Sequence, residues 1–270
     1  TGDRGESHPR EPMLVVAGLR VNDAKGREVV HDVDFQVRAG EIFGIAGVAG
    51  NGQDEMVEAL MGLREVTAGR VTIGGWDATG ASPRSLHQRG VGFVPADRHR
   101  YGMVLSFPLT DNLALNEYYH SPYARGMVRD EAAIRANAER IIAEYDVRTP
   151  SADVPGSSLS GGNQQKLVVG REFDGELSLL VLDQPTRGLD VGSIEFIHRR
   201  AIDRRDAGVA VLLVSAELDE ILELSDRIGV MYGGRLAAVL DARTANREEV
   251  GLLMATGGRE AVEAVQERAS

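Results

Sequence analysis

Apolar and polar positions alternate with a period of two near the start of the chain. Val33, Phe35 and Val37 fall on one face with polar residues between them, as in a half-buried antiparallel strand. Strand-like alternation already begins at Met13. EIFGIAG at 41–47 is a more continuous apolar run and predicts a buried strand that leads straight into glycines. Beyond the glycines, Met56, Val57, Leu60 and Met61 mark one face of a short helix opening with Asp54 and Glu55. Arg70–Ile73 predicts another strand, closed by Gly74–Gly75. Ser82 followed by Pro83 predicts a helix start, and Val91–Val94 a short strand ending at Pro95.

Between about Asp97 and Ser158 the strand signals stop. Asp130 is placed to cap a helix on which Ile134, Ala138, Ile141 and Tyr145 recur at helical spacing, so this segment predicts an all-helical insertion. The α/β pattern then resumes. A helix follows Ser160, a buried strand covers Leu179–Leu182, a helix lies near Gly192–Arg205, and a second buried strand covers Val209–Val214. Two strands around Ile228–Met231 and Arg235–Leu240 are joined by Gly233–Gly234. Alternating strands and helices with fully apolar strand runs predict a largely parallel sheet with helices on both faces. The sequence divides into a polar linker (1–12), a first core part (13–96), the helical subdomain (97–158), a second core part (159–256) and a charged tail (257–270). No internal repeat is visible.

Composition narrows the function classes. The 270 residues carry a net charge of −11, which disfavours broad nucleic-acid binding, so no nucleic-acid partner is expected. There is no cysteine, which removes disulfides, thiolate metal sites and thiol catalysis. The longest apolar runs, such as Val209–Ala216, fall far short of the roughly 20 residues a membrane span needs. The expectation is a cytosolic polypeptide whose membrane role, if any, comes through partners. The histidines His8, His31, His87, His99, His120 and His198 show no metal-ligand spacing.

Two motifs carry chemistry. In GVAGNGQD at 47–54, Gly47, Gly50 and Gly52 stand between a strand and a helix start, an arrangement that aims backbone N–H groups and a helix dipole at a phosphate. A glycine-rich strand–helix turn also serves as an ordinary tight turn. Where a phosphate loop carries Lys then Ser or Thr, this chain has Gln53 and Asp54. The missing lysine contact is worth about 1.5–3 kcal/mol, or roughly ten- to a hundredfold in affinity. Asp54 adds a carboxylate that repels phosphates unless Mg²⁺ intervenes. The second motif is LSGGNQQK at 159–166, where Ser160 can cap a helix whose first N–H groups Gly161 and Gly162 leave uncovered.

With LSGGNQQK followed by the apolar strand LLVLD at 179–183, the chain resembles an ATP-binding-cassette (ABC) nucleotide-binding domain from about Met13 to Leu253. The resemblance implies an α/β ABC ATPase core, a mostly parallel sheet plus an antiparallel β lobe, with an inserted all-helical subdomain. It implies ATP and Mg²⁺ as cofactors. The phosphate loop would be Gly47, Gly50, Asn51, Gly52, Gln53 and Asp54, and Asp183 would orient the metal. Leu159, Ser160, Gly161, Gly162, Asn163 and Gln164 would form the signature that faces a partner's nucleotide. Gly188, Leu189 and Asp190 would form the D-loop at the contact between two such domains.

Several positions depart from the family pattern. Gln184 stands where a glutamate polarises the attacking water, and losing a general base costs about 10²–10⁴-fold. Ala216 stands where a histidine contacts the γ-phosphate. Pro95, Ala96 and Asp97 stand in place of a glutamine, and no aromatic stands near Val21–Asp23 to stack on adenine. Arg187 serves equally as an interface residue or a solvated loop arginine. The basic turn Arg98–His99–Arg100 faces membrane subunits in the family, although a solvated turn explains it slightly better.

The resemblance is strongest to the second half of tandem ATPases of bacterial importers. QPTRGLDVGSIEFIH at 184–198 and VSAELDEILELSDRI at 214–228 are similar to the nucleoside branch, with the ribose and galactose branch next. The implied partners are an N-terminal ABC domain of the same parent chain, transmembrane permease subunits and, indirectly, a substrate-binding lipoprotein. The implied location is cytoplasmic, at the inner face of the cell membrane. A soluble ABC protein with a regulatory rather than a transport role is the alternative. An unrelated small-molecule kinase would share only the glycine loop.

Overall fold

The computed structural model describes residues 5–125 and 128–258. The outer part of the expected tail lies outside them. In chain order, β1 (Pro12–Asn22) and β2 (Glu28–Arg38) lead into β3 (Ile42–Ala46) and helix α1 (Gln53–Leu60). Then come β4 (Ala68–Ile73), β5 (Trp76–Asp77), α2 (Pro83–Gln88) and β6 (Val91–Val94). A π-helical turn (Arg98–Gly102) and α3 (Leu109–Ala114) follow, with β7 (Ala124–Arg125), β8 (Val128–Arg129), α4 (Glu131–Glu144), a 3-10 turn (Gly156–Ser158) and α5 (Gly161–Phe173). The remainder is β9 (Leu179–Asp183), α6 (Val191–Asp206), β10 (Ala210–Ser215), α7 (Leu218–Leu224), β11 (Arg227–Tyr232), β12 (Arg235–Asp241) and α8 (Arg247–Thr256).

The chain forms two compact units. The first holds the described residues up to Val91, Ser178–Gln184 and those from Ala201 onward. Its antiparallel lobe has strand order β2-β1-β4-β5. The alternation predicted for β2 is realised, with Val33, Phe35 and Val37 buried. Its second sheet runs β12-β11-β3-β10-β9. β3 is parallel to both β10 and β11, β10 is parallel to β9, and only β12 is antiparallel to its neighbour. Every residue of β3, β9 and β10 is buried, which is why these strands read as continuous apolar runs instead of alternating ones. The ends of β3 and β9 deliver the glycine loop and Asp183.

The second unit comprises Gly92–Leu177 and Pro185–Arg200, and so takes in more than the 97–158 segment. Asp130 caps α4 by accepting the Ala133 N–H at 3.0 Å, and Ile134, Ala138, Ile141 and Tyr145 are all buried. The all-helical expectation needs one amendment. β7 and β8 pair as a small antiparallel hairpin, and strands of two residues are too short to leave a period-two signature in the sequence. Among the described residues, no helix is long and apolar enough to cross a membrane.

Candidate functional site

The glycine loop between β3 and α1 is closed on itself. Gly50 and Gly52 adopt φ of 91° and 94°, a region that favours glycine. A Cβ at Gly52 would lie 2.5 Å from the Val29 carbonyl oxygen. Gln53 is 3% exposed and folds back, its Nε2 donating to the Val48 carbonyl at 2.8 Å. A Cβ at Gly47 would meet that same Nε2 at 2.5 Å, so the amide fills the inside of the loop. Asn51 acts as a brace. Its Nδ2 donates to Val48 O, its Oδ1 accepts the Gly233 N–H, each at 2.8 Å, and its carbonyl accepts the Gly234 N–H at 3.0 Å.

Charge at this end of the sheet is carboxylate-dominated. Asp183 is 5% exposed, and its Oδ1 has no hydrogen-bond partner. Burial, and then the nearby carboxylates of Asp54 and Glu58, push its pKa from 3.8 up to about 8. Among the described residues, no group of three or more His, Cys, Asp or Glu is arranged to hold a metal ion. Gln184, next in the chain, has φ 48°, and its Oε1 accepts the Ala216 N–H at 3.1 Å. Near Val21–Asp23, where no aromatic stands, Asp23 accepts the N–H groups of Lys25 and Arg27 and closes a tight turn. Gln53 and Asp54 stand where a phosphate loop carries Lys then Ser or Thr, and Gln53 is folded inward.

The signature, in the second unit, has the opposite character. Ser160 caps the 13-residue α5. Its Oγ accepts both the Asn163 N–H at 3.3 Å and Asn163 Nδ2 at 3.0 Å. Both acceptor sites of the hydroxyl are thus used, which leaves its hydrogen free to donate outward. The N–H groups of Gly161 and Gly162 have no acceptor within the helix, and the helix dipole adds about half a positive charge at this end. Oriented donors of this kind suit an anion. Asn163 is itself fixed, its Oδ1 accepting the Arg148 N–H at 2.9 Å.

Several of the sequence-predicted residues meet here. Ser160, Asn163 and Asp190 line one polar cavity of about 360 Å³ together with Lys166 and Ser193. Asp190 starts α6 by accepting the Ser193 N–H at 3.0 Å and the Ser193 hydroxyl at 2.7 Å. Those two bonds lower its pKa. A Cβ at Gly162 would lie 2.6 Å from Ser193 Oγ and 2.9 Å from Asp190 Oδ2, so a side chain there would displace these two side-chain ends. Gly188 and Leu189 do not line the cavity. Leu159 is buried, and Arg187 is exposed.

Gln164, expected in the signature, has its side chain turned into the second unit. It is 6% exposed, and its Oε1 takes Arg98 Nε at 3.2 Å and His99 Nε2 at 2.9 Å, while its Nε2 donates to Gly156 O at 3.1 Å. Its polar atoms are all used inside the unit. The turn Arg98–His99–Arg100, expected to be solvated, is capped by Asp97. The bond to Gln164, more than sixty residues away, left no local signal.

A family profile described as ABC transporter matches residues 30–187. The chain belongs to the ABC transporter ATP-binding family. It is 46% identical over 253 residues to the guanosine import ATP-binding protein NupO of Bacillus subtilis, covering 94% of this chain and 50% of that protein. To the nucleoside import ATP-binding protein NupA of Lactococcus lactis it is 43% identical, with the same two coverages. It spans about half the length of these curated relatives. Among solved structures, the ATP-binding cassette MJ1267 in its ADP conformation superposes with a TM-score of 0.73 at 20% identity, covering 94% of this chain and 98% of that one. That likeness confirms the α/β ABC fold with its mixed sheet and antiparallel lobe. The motifs described above are therefore those of an ABC ATPase domain, a class that binds ATP and Mg²⁺.

Proposed function

We propose that this ABC domain serves a nucleotide held by a partner domain rather than one held by its own loop, within a bacterial importer of nucleosides. The partner would be an N-terminal ABC domain of the same parent chain, engaged head to tail. Ser160 would donate its hydroxyl hydrogen, and Gly161 and Gly162 their N–H groups, to phosphate oxygens of ATP held across the interface. Donors fixed in advance stabilise developing phosphate charge without reorganisation. The domain's own loop would stay silent, with Gln184 unable to act as a base. Permease subunits would receive the closing motion, and a substrate-binding lipoprotein would deliver cargo to them at the outer face. The domain would sit in the cytoplasm against the inner face of the membrane.

The observation that carries this reading is the contrast between the two phosphate-directed elements. Ser160 is pre-set as an outward donor, while Gln53 and Asn51 spend their amides on Val48 and on the Gly233–Gly234 turn. The similarity to NupO and NupA supports a nucleoside as cargo. Similarity to the glucose import ATP-binding protein TsgD13 of Haloferax volcanii, 44% identical over 260 residues, keeps a sugar importer as the second reading.

The test uses the isolated chain and the full protein. The isolated chain is expected to hydrolyse ATP negligibly, and Ser160→Arg in the full protein is expected to abolish turnover. ATPase activity of the isolated chain comparable to a competent ABC ATPase would overturn the silent-loop reading. Unchanged turnover of the Ser160→Arg protein would overturn the donated signature.

A further inference from the structure

The turn that follows β6 is fastened to the signature helix at both ends. At its start, Arg98 and His99 share one acceptor, Gln164 Oε1, at 3.2 Å and 2.9 Å. That oxygen only accepts, so His99 must carry its hydrogen on Nε2. At its end, Arg171 of the same helix donates to the Gly102 carbonyl at 2.6 Å. Asp97 holds the turn's own shape by accepting the N–H groups of His99 and Arg100, each at 3.1 Å. Gln164 lies one helical turn beyond Ser160, and its N–H donates to the Ser160 carbonyl at 2.8 Å. The clamp therefore grips the very turn that presents Ser160, Gly161 and Gly162. Arg98 also comes within 2.9 Å of where a Cβ on Gly161 would stand, so glycine at that position leaves room for the guanidinium.

We propose that Arg98 and His99 are positioning residues for the signature. Through the single oxygen of Gln164 they hold in place the first turn of the helix that presents Ser160, and carry any displacement of the 97–102 turn to it. This rests on the reading that the signature serves a partner's nucleotide. Both acceptor sites of Gln164 Oε1 are filled, and its nitrogen is tied to Gly156 O at 3.1 Å, so the amide cannot swivel to absorb the movement of either donor. A hydrogen bond from an exposed histidine to a buried amide oxygen adds modestly to the stability of the fold. Its value lies in holding geometry, and a misplacement of about 1 Å at a reacting group can cost up to a hundredfold in rate.

The experiment measures ATP turnover against ATP concentration for the full protein assembled with its permease. Arg98→Met and His99→Phe keep most of the side-chain bulk and remove the donors. Each is expected to lower kcat about tenfold or more with little change in KM, the pattern of an interaction realised in the transition state, and with a thermal midpoint lowered by no more than about 2–4 °C. His99→Gln offers an N–H donor again and should recover most of the loss. In a Gln164→Leu background, which should itself lose a similar factor, adding His99→Phe should cost nothing further. Wild-type kcat in the two donor variants, or losses that multiply in the Gln164→Leu background, would overturn the clamp. Ser160→Arg, measured alongside, separates the two ideas. If it abolishes turnover while the donor variants are normal, only the clamp fails; if it has no effect, the donated signature fails.

Discussion

The Gln184 side-chain oxygen accepts the backbone N–H of Ala216 at 3.1 Å. Two positions at which this chain departs from the ABC pattern are thus joined to each other, across the ends of the adjacent strands β9 and β10. Gln184 holds this bond with φ of 48°, a left-handed conformation that costs a non-glycine residue about 1–2 kcal/mol. The bond recovers about 1 kcal/mol. Gln184→Ala should therefore destabilise the first unit by about 1 kcal/mol, since it loses the bond and keeps the strain. Gln184→Gly loses the bond but relieves the strain, and should be close to neutral. Urea denaturation of the two variants checks the ordering, and equal losses would show that the bond is not what holds Gln184 in place.

Gln53 occupies the inside of a loop whose backbone is otherwise intact. Gln53→Lys combined with Asp54→Thr would supply a cation and a hydroxyl and would withdraw a carboxylate. ATP affinity of the isolated chain should rise roughly ten- to a hundredfold, as read by calorimetric titration. On the proposed silent-loop reading, turnover should be negligible because Gln184 and Ala216 are unchanged. An unaltered affinity would mean that the Asn51 brace, rather than the missing lysine, limits the loop.

The elements were legible wherever burial imposes a period. Val33, Phe35 and Val37 exposed the two-residue repeat of β2, and Ile134, Ala138 and Ile141 the helical repeat of α4. The Ser160 cap was legible because a capping serine acts within three residues of its own position. What stayed hidden depends on partners far along the chain. The Asn51 side chain accepts the N–H of Gly233, 182 residues away. Gln164 read as part of the nucleotide face, but Arg98 and His99 turn it inward. An amide donates and accepts equally well to a ligand or to a neighbour, and periodicity cannot tell which.

Arg205 is fully buried, with Asp206 at 2.8 Å and Asp226 at 3.2 Å. Removing one member of a buried ion pair leaves the other charge uncompensated, at a cost of about 3–5 kcal/mol. Arg205→Ala should therefore lower the stability of the first unit by several kcal/mol. The denaturation midpoint measures it, and a loss below about 1 kcal/mol would show that water reaches Asp226 when the guanidinium is gone.

Asp183 gives the first unit a pH-dependent stability. Its pKa lies near 8 in the folded chain, against 3.8 for an ordinary aspartate. Below about pH 4 both folded and unfolded chains hold the proton, and the residue contributes no pH dependence. Between about pH 4 and 8 the unfolded chain releases the proton while the folded chain keeps it, so stability falls as pH rises. The slope approaches about 1.4 kcal/mol per pH unit, and the whole window amounts to several kcal/mol. Above about pH 8 both states are ionised and the penalty is constant. Asp183→Asn cannot ionise and should abolish this slope, so its advantage over the natural chain should widen from pH 5 to pH 8. Urea midpoints of metal-free protein across that range provide the comparison. Parallel profiles for the two proteins would show that Asp183 is solvated in solution and ionises like an exposed carboxylate.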